Sequence, residues 1–418
     1  MKIGIIIERL EEWRGGAETS TMELAALLAQ RGHEMHIVTA SRRPSTPTLT
    51  IHQLPGSALI RPRATAAFIR HATAFLKQTP FDVTHAIAPV PNADIYQPRG
   101  GSIVETIERN LALRGGGLSR AAKRFSNAWN LKYRSLRGFE RAICRPDGPV
   151  IAAVSNYVAD QFHRHYGLTP PRVQVVFNGV DVHPPEAAER ARQRAAIRAQ
   201  YGWSDEEYVL LCVAHNFRLK GVGHAVEALA LLHAEGVPSA RLLIVGRDNP
   251  AGVQSLAQRL GMTGAVVFVG PTQRIGAFFS AADVCVHPTY YDPCSRVVLE
   301  AICHGVPAVT TRFNGAAEVI HDGVSGFVVA DPADAAMLAQ GLLKLREPEV
   351  RAGMVSEAAA LRPRLSMARH VTELELLLTA VAGRAGVASR EPGESGGHSN
   401  GPAADKEVRG IPATSSGE

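Results

Sequence analysis

The sequence predicts an α/β protein of two doubly wound domains that face each other across a cleft. The chain has 418 residues, and because one hydrophobic core stops growing at about 250–300 residues, two domains are expected. Short β-rich runs alternate with helical patterns along the chain, as they do in βαβ units that build a parallel sheet. The alternation restarts after a polar, proline-containing stretch at His183–Glu186 and an Arg- and Ala-rich helix over Ala187–Gln200.

The first domain opens with a βαβ unit, whose helix is predicted over Ala17–Arg31 with leucines on one face. A later helix is expected over Asn156–Tyr166, with Ser155 as its N-cap because a serine hydroxyl accepts hydrogen bonds from the first turn. We place this domain at residues 1–170. Its predicted strands are Lys2–Ile7, Glu34–Thr39, Phe81–His85 and Pro149–Val154.

The second domain is placed at residues 171–362. A helix over 363–383 is expected to pack back on the first domain. Residues 384–418 are rich in Gly, Ser, Pro and charge, so a disordered tail is predicted there. The predicted strands of the second domain are Tyr208–Ala214, Arg241–Gly246, Ala265–Val269, Ala282–His287 and Val306–Thr310. Its predicted helices are Gly223–Glu235, Gly252–Leu260, Val297–His304 and Ala333–Leu345.

Composition narrows the class of protein. The formal net charge is +6, which favours an anionic partner without requiring one. Five cysteines without a C-x-x-C pair indicate reduced thiols and a cytosolic protein. No segment approaches the ~18 apolar residues of a spanning helix, so any membrane contact would be peripheral.

Two glycines, Gly15 and Gly16, lie between the first strand and the first helix. Adjacent glycines let a ligand approach the backbone and leave N–H groups at a helix start, an arrangement that favours an anion. An ordinary βα turn is the alternative. Arg218 and Lys220 stand in the same relation to a later strand and helix, where two cations could neutralise a diphosphate leaving group. Two surface cations in a loop are the alternative there.

Asp292 and Glu300 follow another predicted strand, the first in a loop and the second about a turn into a helix. Both carboxylates can therefore line the carboxyl end of that strand and accept hydrogen bonds from sugar hydroxyls. The N–H groups after Ser295 can hold a phosphate at the positive end of the helix dipole. The alternative is a turn residue followed by a solvated helix position. The sequence has no D-x-D pair, H-E-x-x-H motif, Cys/His ligand set or P-loop, so we predict neither a metal centre nor a cofactor.

The positive charge is concentrated between Arg99 and Arg145, where eleven Lys and Arg face three acidic residues, an excess of eight. Within this segment six apolar residues recur at helical spacing: Phe125, Trp129, Tyr133, Leu136, Phe139 and Ile143. Their stripe is predicted to belong to the core. The opposite, basic face could hold the protein on an anionic membrane, at about 1 kcal/mol for each charge near the surface. A merely solvated face is the alternative.

In combination, these motifs resemble the family-four retaining glycosyltransferases, which have the GT-B fold of two Rossmann-like domains. The resemblance rests on G-G-A-E near Gly16, F-N-G-V-D at Phe177–Asp181, R-L-K-G at Arg218–Gly221, D-P-C-S-R-V-V-L-E at Asp292–Glu300, and N-G-A-A-E at Asn314–Glu318. Within the family, Asn92–Tyr96, Gly138–Ala142 and Val245–Pro250 are most similar to the lipopolysaccharide core glucosyltransferase I group, whose members are peripheral enzymes of the inner membrane.

The resemblance implies a role for each candidate residue. Glu300 would bind the ribose of the nucleotide, Asp292 the transferred sugar, and Lys220 with Arg218 the diphosphate. Backbone N–H groups at the start of the helix would also bind the diphosphate; that helix start comprises Ser295, Arg296 and Val297. Gly15 and Gly16 would lie across the cleft. Arg172, just before a further predicted strand at Val173–Val176, is a weaker phosphate candidate.

The sequence also departs from the family pattern. Asp292 replaces a glutamate, which retracts the carboxylate by roughly 1.5 Å. His215 stands where the family has an arginine, with Arg218 as the nearby substitute, and Ser295 replaces a glycine as a possible N-cap. A family histidine of the first domain has no counterpart in Gln97–Gly101.

We therefore expect a retaining, metal-independent hexosyltransferase that moves glucose from UDP-glucose to a glycolipid or glycan acceptor resembling the lipopolysaccharide core. No nucleic-acid partner is expected. The enzyme would be cytoplasmic, or peripheral on the inner face of the cytoplasmic membrane. A nucleotide-sugar epimerase of related fold and a non-catalytic glycan- or lipid-binding protein are the alternatives.

Overall fold

A computed structural model of the protein describes residues 1–10, 16–55, 61–113 and 130–388. These residues form two parallel β-sheets flanked by helices. In both sheets the strand order grows outward in two directions from the first strand of the domain, which is the doubly wound arrangement. The predicted fold class is confirmed.

The first sheet has seven strands in the order β3-β2-β1-β4-β5-β6-β7. They are β1 (Lys2–Ile6), β2 (Glu34–Thr39), β3 (Leu49–Gln53), β4 (Val83–Ala86), β5 (Ile95–Tyr96), β6 (Val150–Ala153) and β7 (Val173–Val175). Because β7 pairs with β6 in this sheet, the predicted end of the first domain at residue 170 lies too early in the chain. Its helices are α1 (Gly16–Gln30), α2 (Arg61–Gln78), α3 (Ile103–Ala112), α4 (Leu131–Ile143) and α5 (Asn156–Tyr166). Central strands such as β1 and β4 are buried on both faces, in accordance with their near-continuous apolar runs.

The second sheet has six strands in the order β10-β9-β8-β11-β12-β13. They are β8 (Tyr208–Val213), β9 (Ala240–Val245), β10 (Val266–Gly270), β11 (Val284–His287), β12 (Ala308–Thr311) and β13 (Gly326–Val329). The helices around it are α6 (Ala187–Gln200), α7 (Val222–Ala234), α8 (Ala251–Arg259), α9 (Ile275–Ala281), α10 (Arg296–Cys303), α11 (Ala335–Arg346), α12 (Pro348–Ala359) and α13 (Arg362–Leu365), together with a 3-10 turn at Gly315–Val319.

The last helix, α14 (Met367–Ala388), returns to the first domain. Leu374 and Leu378 are fully buried there with Leu24 and Leu28 of α1. The helix extends to Ala388, so the prediction that the tail begins at residue 384 is wrong for its first five residues. Residues 389–418, the rest of the predicted tail, lie outside the described residues.

The apolar side of α4 belongs to the first domain's core. Ile143 is fully buried, and Leu136 and Phe139 pack against the same cluster. On the other side of the helix Arg134 and Arg141 are exposed, and Arg145 is exposed just after the helix ends. Phe125, Trp129 and Lys123 of the predicted stripe and basic face lie outside the described residues.

None of the helices described has the length and hydropathy to cross a bilayer. All five cysteines are free thiols, and four of them are buried.

Candidate active site

A cavity of about 380 Å³ lies between the two domains, beyond the carboxyl ends of β8 and β11. The first domain contributes Gly16, Ser20 and Arg99, and the second contributes several polar side chains. Seven of the ten site residues predicted from the sequence line this cavity: Gly16, Lys220, Asp292, Ser295, Arg296, Val297 and Glu300. Both members of the predicted acidic pair and one of the two predicted cations therefore face one volume.

Lys220 and Asp292 form an ion pair at the wall of the cavity. The Lys220 ammonium donates to Asp292 Oδ2 at 2.6 Å and to the Tyr291 carbonyl at 3.2 Å. Burial opposes ionisation of Asp292, but Lys220 and the His287 ring outweigh it and hold the pKa of the carboxyl well below its usual range. Burial also lowers the pKa of His287, whose Nε2 donates to Asp292 at 3.4 Å. Asp292 is therefore a fixed acceptor for hydroxyl groups.

Glu300 occupies the cavity face of α10, whereas Val298, Leu299 and Ile302 point into the core. Burial raises the pKa of Glu300 above its ordinary value, although Arg296 lowers it. Arg296 lies one turn earlier and its Nε is 3.4 Å from the Glu300 carboxylate, as expected for residues four apart on a helix. A largely desolvated carboxylate of this kind gains from a pair of hydroxyl donors.

Arg296 also joins the two domains. Its Nη1 and Nη2 donate to the two carboxylate oxygens of Glu23 in α1, at 3.0 and 3.2 Å. A Cβ atom on Gly16 would lie 2.9 Å from Arg296 Cδ, so a side chain at this position would displace the arginine. Glycine is needed at this position because the two domains approach each other closely here. Gly15, the other predicted glycine, lies outside the described residues.

The position of Lys220 depends on Gly221, which precedes α7 with φ +67°. A Cβ atom on Gly221 would lie 2.0 Å from the carbonyl oxygen of Pro288, in the loop after β11. Only glycine combines the left-handed conformation with this contact. The chain can therefore turn directly against the loop that holds Asp292, which brings the ammonium of Lys220 to the carboxylate.

Two family models match this chain. "Glycosyltransferase Family 4" matches residues 14–183, and "Glycosyl transferases group 1" matches residues 193–361. The first match covers β2 to β7 of the first sheet, the second covers all six strands of the second sheet, and together they span most of the chain. The chain belongs to glycosyltransferase family 4. The GT-B fold predicted for it is thereby confirmed.

Relatives of this glycosyltransferase include lipopolysaccharide glucosyltransferase WaaG of Escherichia coli K12, which is 28% identical over 76% of this chain and 82% of that protein. N-acetyl-α-D-glucosaminyl L-malate synthase of Bacillus anthracis is 24% identical over 82% of this chain and 88% of its own length. The predicted resemblance to the lipopolysaccharide core glucosyltransferases is confirmed.

Solved structures lead to the same group. The crystal structure of WaaG superposes with a TM-score of 0.76 at 25% identity, over 90% of this chain and 99% of that one. Anabaena HepE in complex with UDP-glucose gives a TM-score of 0.67 at 19% identity, over 91% of this chain and 100% of that one. The similarity to HepE shows the fold alone.

Two predicted site residues of this glycosyltransferase are not in the cavity. Arg218 lies two residues before Lys220, but its guanidinium donates to the carbonyl of Leu113 in the first domain at 2.9 Å. Arg172 donates to four backbone carbonyls around the start of β6 and is held there. Its prediction as a phosphate ligand is wrong because the guanidinium is occupied in cross-linking a loop. Arg218 does not line the cavity with Lys220, and its guanidinium is bound to the first domain instead.

Ser295 occupies the N-cap position of α10, but its hydroxyl makes no capping bond. The hydroxyl lies 3.4 Å from His287 Nε2, and the Ser295 N–H donates to the Asn314 side chain. The predicted N-cap at Ser155 is confirmed, because its hydroxyl accepts from Val158 N–H at 3.1 Å and donates to the Pro293 carbonyl across the cleft at 2.6 Å.

Sequence reasoning did not identify Arg99, Ser20 or His287 as residues of the cavity. Arg99 donates to the side chains of Gln97 and Ser20, and its pKa is lowered to about 9 by burial and by the charge of Arg296. The only signal for Arg99 was its place in the stretch after β5 that departs from the family pattern. His287 ends a predicted strand, where a buried polar residue could have been noticed.

One group of described residues has the geometry of a metal site, and it lies outside this cavity. Glu105, Glu108 and His165 offer ligand atoms within 4.8 Å of one another. Glu105, however, already pairs with Arg109 and Arg164 at 2.7 and 3.4 Å. Guanidinium groups at that distance would oppose a cation, so this group is best understood as an ion-pair network that fixes α3 to α5.

Proposed function

We propose that this glycosyltransferase transfers a glucosyl group from UDP-glucose to a glycan or glycolipid acceptor that resembles the lipopolysaccharide core, with retention at the anomeric carbon and without a metal ion. The observation that carries the proposal is that Lys220 and Glu300, from separate stretches of the second domain, line one cavity with Asp292. Had these side chains lain on opposite surfaces, one sugar nucleotide could not contact all of them.

Each group has a role that fits its surroundings. Glu300, desolvated on α10, would accept from the two ribose hydroxyls. Asp292, held ionised, would accept from hydroxyls of the transferred sugar. The Lys220 ammonium would bind the diphosphate, together with the N–H groups at the start of α10, because anions are stabilised at helix N-termini.

The reaction breaks the bond between the anomeric carbon and the diphosphate oxygen. Cations fixed beside the leaving group stabilise the charge that develops on it, and Lys220 and the Arg99–Arg296 side of the cavity would supply them. The acceptor hydroxyl would attack from the face that the diphosphate leaves, which retains the configuration. Its proton would pass to the departing diphosphate.

Relatives support the choice of donor and acceptor. WaaG is named as a lipopolysaccharide glucosyltransferase, and HepE has been solved with UDP-glucose. The exposed arginines of α4 lie on the first domain, which would carry the acceptor. We propose that they hold the enzyme peripherally on the inner face of the cytoplasmic membrane, where a lipid-linked acceptor is found.

The test is a transfer assay with UDP-glucose, lipopolysaccharide-core acceptor and EDTA. Product with the retained anomeric configuration, at an unchanged rate in EDTA, is expected. A strict requirement for added divalent metal would contradict the metal-independent mechanism. Conversion of UDP-glucose without acceptor would indicate an epimerase, and nucleotide binding without UDP release would indicate a binding protein.

A further inference from the structure

A second cavity, also of about 380 Å³, lies beside the donor cavity and is formed by both domains. Its wall consists of the end of α3 and the loops that follow β11, β12 and β13, and its polar side chains are Arg109, Tyr290, Arg312 and Asp331. None of these residues lines the donor cavity. The second cavity is therefore separate from the proposed UDP-glucose site.

Two guanidinium groups of this second cavity are held on one aromatic ring. Arg109 lies over the ring of Phe313 at 4.0 Å and Arg312 at 5.0 Å, measured to the ring centroid. Arg109 is also ion-paired with Glu105, whereas the side chain of Arg312 is exposed at the rim. The positive charge of Arg218 adjoins the wall, because its guanidinium donates to the carbonyl of Leu113. Three arginines against Asp331 and Glu105 leave a net positive charge, and two of the arginines are oriented on Phe313 before a ligand arrives.

The hydroxyl of Tyr290 is held by a fixed chain of hydrogen bonds. His224 Nδ1 lies 2.7 Å from the Glu227 carboxylate, and His224 Nε2 lies 2.8 Å from the Tyr290 hydroxyl. In the neutral ring whose Nδ1 donates to the carboxylate, Nε2 accepts from the tyrosine, and the phenol oxygen keeps a lone pair for a ligand. Asp331 offers a second acceptor on the same wall. The cavity thus presents cations for an anion and acceptors for hydroxyl groups.

The two cavities share one loop. Tyr290 faces the second cavity and Asp292 the donor cavity, and Asp292 N–H donates to the carbonyl of Phe313 at 2.9 Å. A ligand in the second cavity would therefore lie directly across this loop from the sugar that Asp292 is proposed to bind. The reacting hydroxyl of an extended acceptor must enter the donor cavity. A more distant sugar of the same acceptor could then lie in the second cavity.

We propose that the second cavity binds a phosphate-bearing sugar of the glycan acceptor. Arg312 and Arg109 would hold the phosphate, because guanidinium groups bind phosphate oxygens in a planar fork, while Tyr290 and Asp331 would accept from ring hydroxyls. This inference rests on the proposed function, because the phosphorylated sugar would be part of the acceptor in that reaction. A lipid headgroup offers a phosphate too, so the experiment includes an arm that distinguishes it from a phosphorylated sugar.

The test is calorimetric titration of glucose 6-phosphate into the full-length protein saturated with UDP, which keeps the probe out of the donor cavity. We expect Arg312→Gln to weaken binding about ten-fold, the effect of losing a charge-assisted contact. Tyr290→Phe should weaken it less, and unphosphorylated glucose should bind far more weakly than the probe. Arg346→Gln is the matched control, because Arg346 is an exposed arginine of the same domain on α11. UDP affinity should be equal in the wild type and the three variants.

The proposal is overturned if Arg312→Gln binds glucose 6-phosphate as tightly as the wild type does. It is also overturned if UDP abolishes the binding of glucose 6-phosphate. A parallel arm uses phosphatidylglycerol vesicles. If Arg312→Gln reduces sedimentation with vesicles while glucose 6-phosphate does not bind the wild type, the ligand is a lipid headgroup and the proposal is wrong. Failure of the proposed function is recognised separately, because UDP would then not bind the wild type, and the titration without UDP would still report on the second cavity.

Discussion

Two buried histidines make the stability of the first domain sensitive to acid. His85 of β4 and His370 of α14 are almost completely buried. Burial, aided by the charge of Arg99, lowers the pKa of each to about 3. His85 and His370 also face each other, and His370 faces Arg369 and Arg296 as well. Protonation of either ring would add a positive charge to a cluster that already holds cations.

The sign of the pH effect follows from these values. In the unfolded chain a histidine takes up its proton near pH 6.5, whereas in the folded protein both rings stay neutral down to about pH 3. The unfolded state therefore binds more protons below pH 6.5, and stability is lost as the pH falls from 6.5 towards 3. Each histidine contributes a slope of ~1.4 kcal/mol per pH unit, so the pair contributes ~2.8 kcal/mol per unit.

The assay is urea unfolding between about pH 5 and pH 7, followed by tryptophan fluorescence, with the free energy of unfolding extrapolated to water. His85→Gln removes one titrating ring and should lower the slope below pH 6 by ~1.4 kcal/mol per unit. His71→Gln is the control, since His71 is exposed on α2. An identical slope in the His85→Gln protein and the wild type would refute the argument that His85 is neutral because it is buried.

Three further predictions concern the sites. Gly221→Ala should lower the free energy of unfolding, measured in urea, by well over ~1 kcal/mol. Gly236 also has a positive φ but open space around it, so Gly236→Ala should cost only the backbone strain. Equal losses of stability in the two variants would argue against the contact between position 221 and Pro288. Arg172→Gln should lower stability by at least about 2 kcal/mol, because four carbonyls lose a charged donor, yet leave UDP affinity unchanged in a titration; weaker UDP binding would restore Arg172 to the site. Arg218→Gln should also leave UDP affinity unchanged, and a loss comparable to that of Lys220→Gln would contradict its place outside the cavity.

Most regular elements could be predicted because their signals are local. Apolar runs and helical spacing located β2, α5 and α6 at their observed bounds. Three strands were missed: β3, β5 and β13. β5 has only two residues, and the edge strand β3 mixes polar with apolar residues, so neither is distinguished from a loop. The edge strand β13 is apolar, but its four residues are too few to show a strand periodicity.

The candidate site could be predicted where one motif carries its own geometry. Asp292 and Glu300 lie on one loop and one helix, so their spacing decides where they point. Arg218 and Lys220 show the limit of this reasoning, because the tight turns between Asn216 and Gly221 send two side chains from one tetrapeptide to different places. Arg172 was misassigned for a related reason, since the carbonyls that hold it become neighbours only in the folded chain.

Binding of UDP and of uridine to two variants tests the central claim most directly. If one nucleotide spans the donor cavity, Lys220→Gln should weaken UDP by about ten-fold or more, because a charge-assisted contact to the diphosphate is lost, and should leave uridine unaffected. Glu300→Gln should weaken both ligands, since both contain the ribose. A Lys220→Gln protein that binds UDP as tightly as the wild type, or a Glu300→Gln protein with unchanged uridine affinity, would contradict the account.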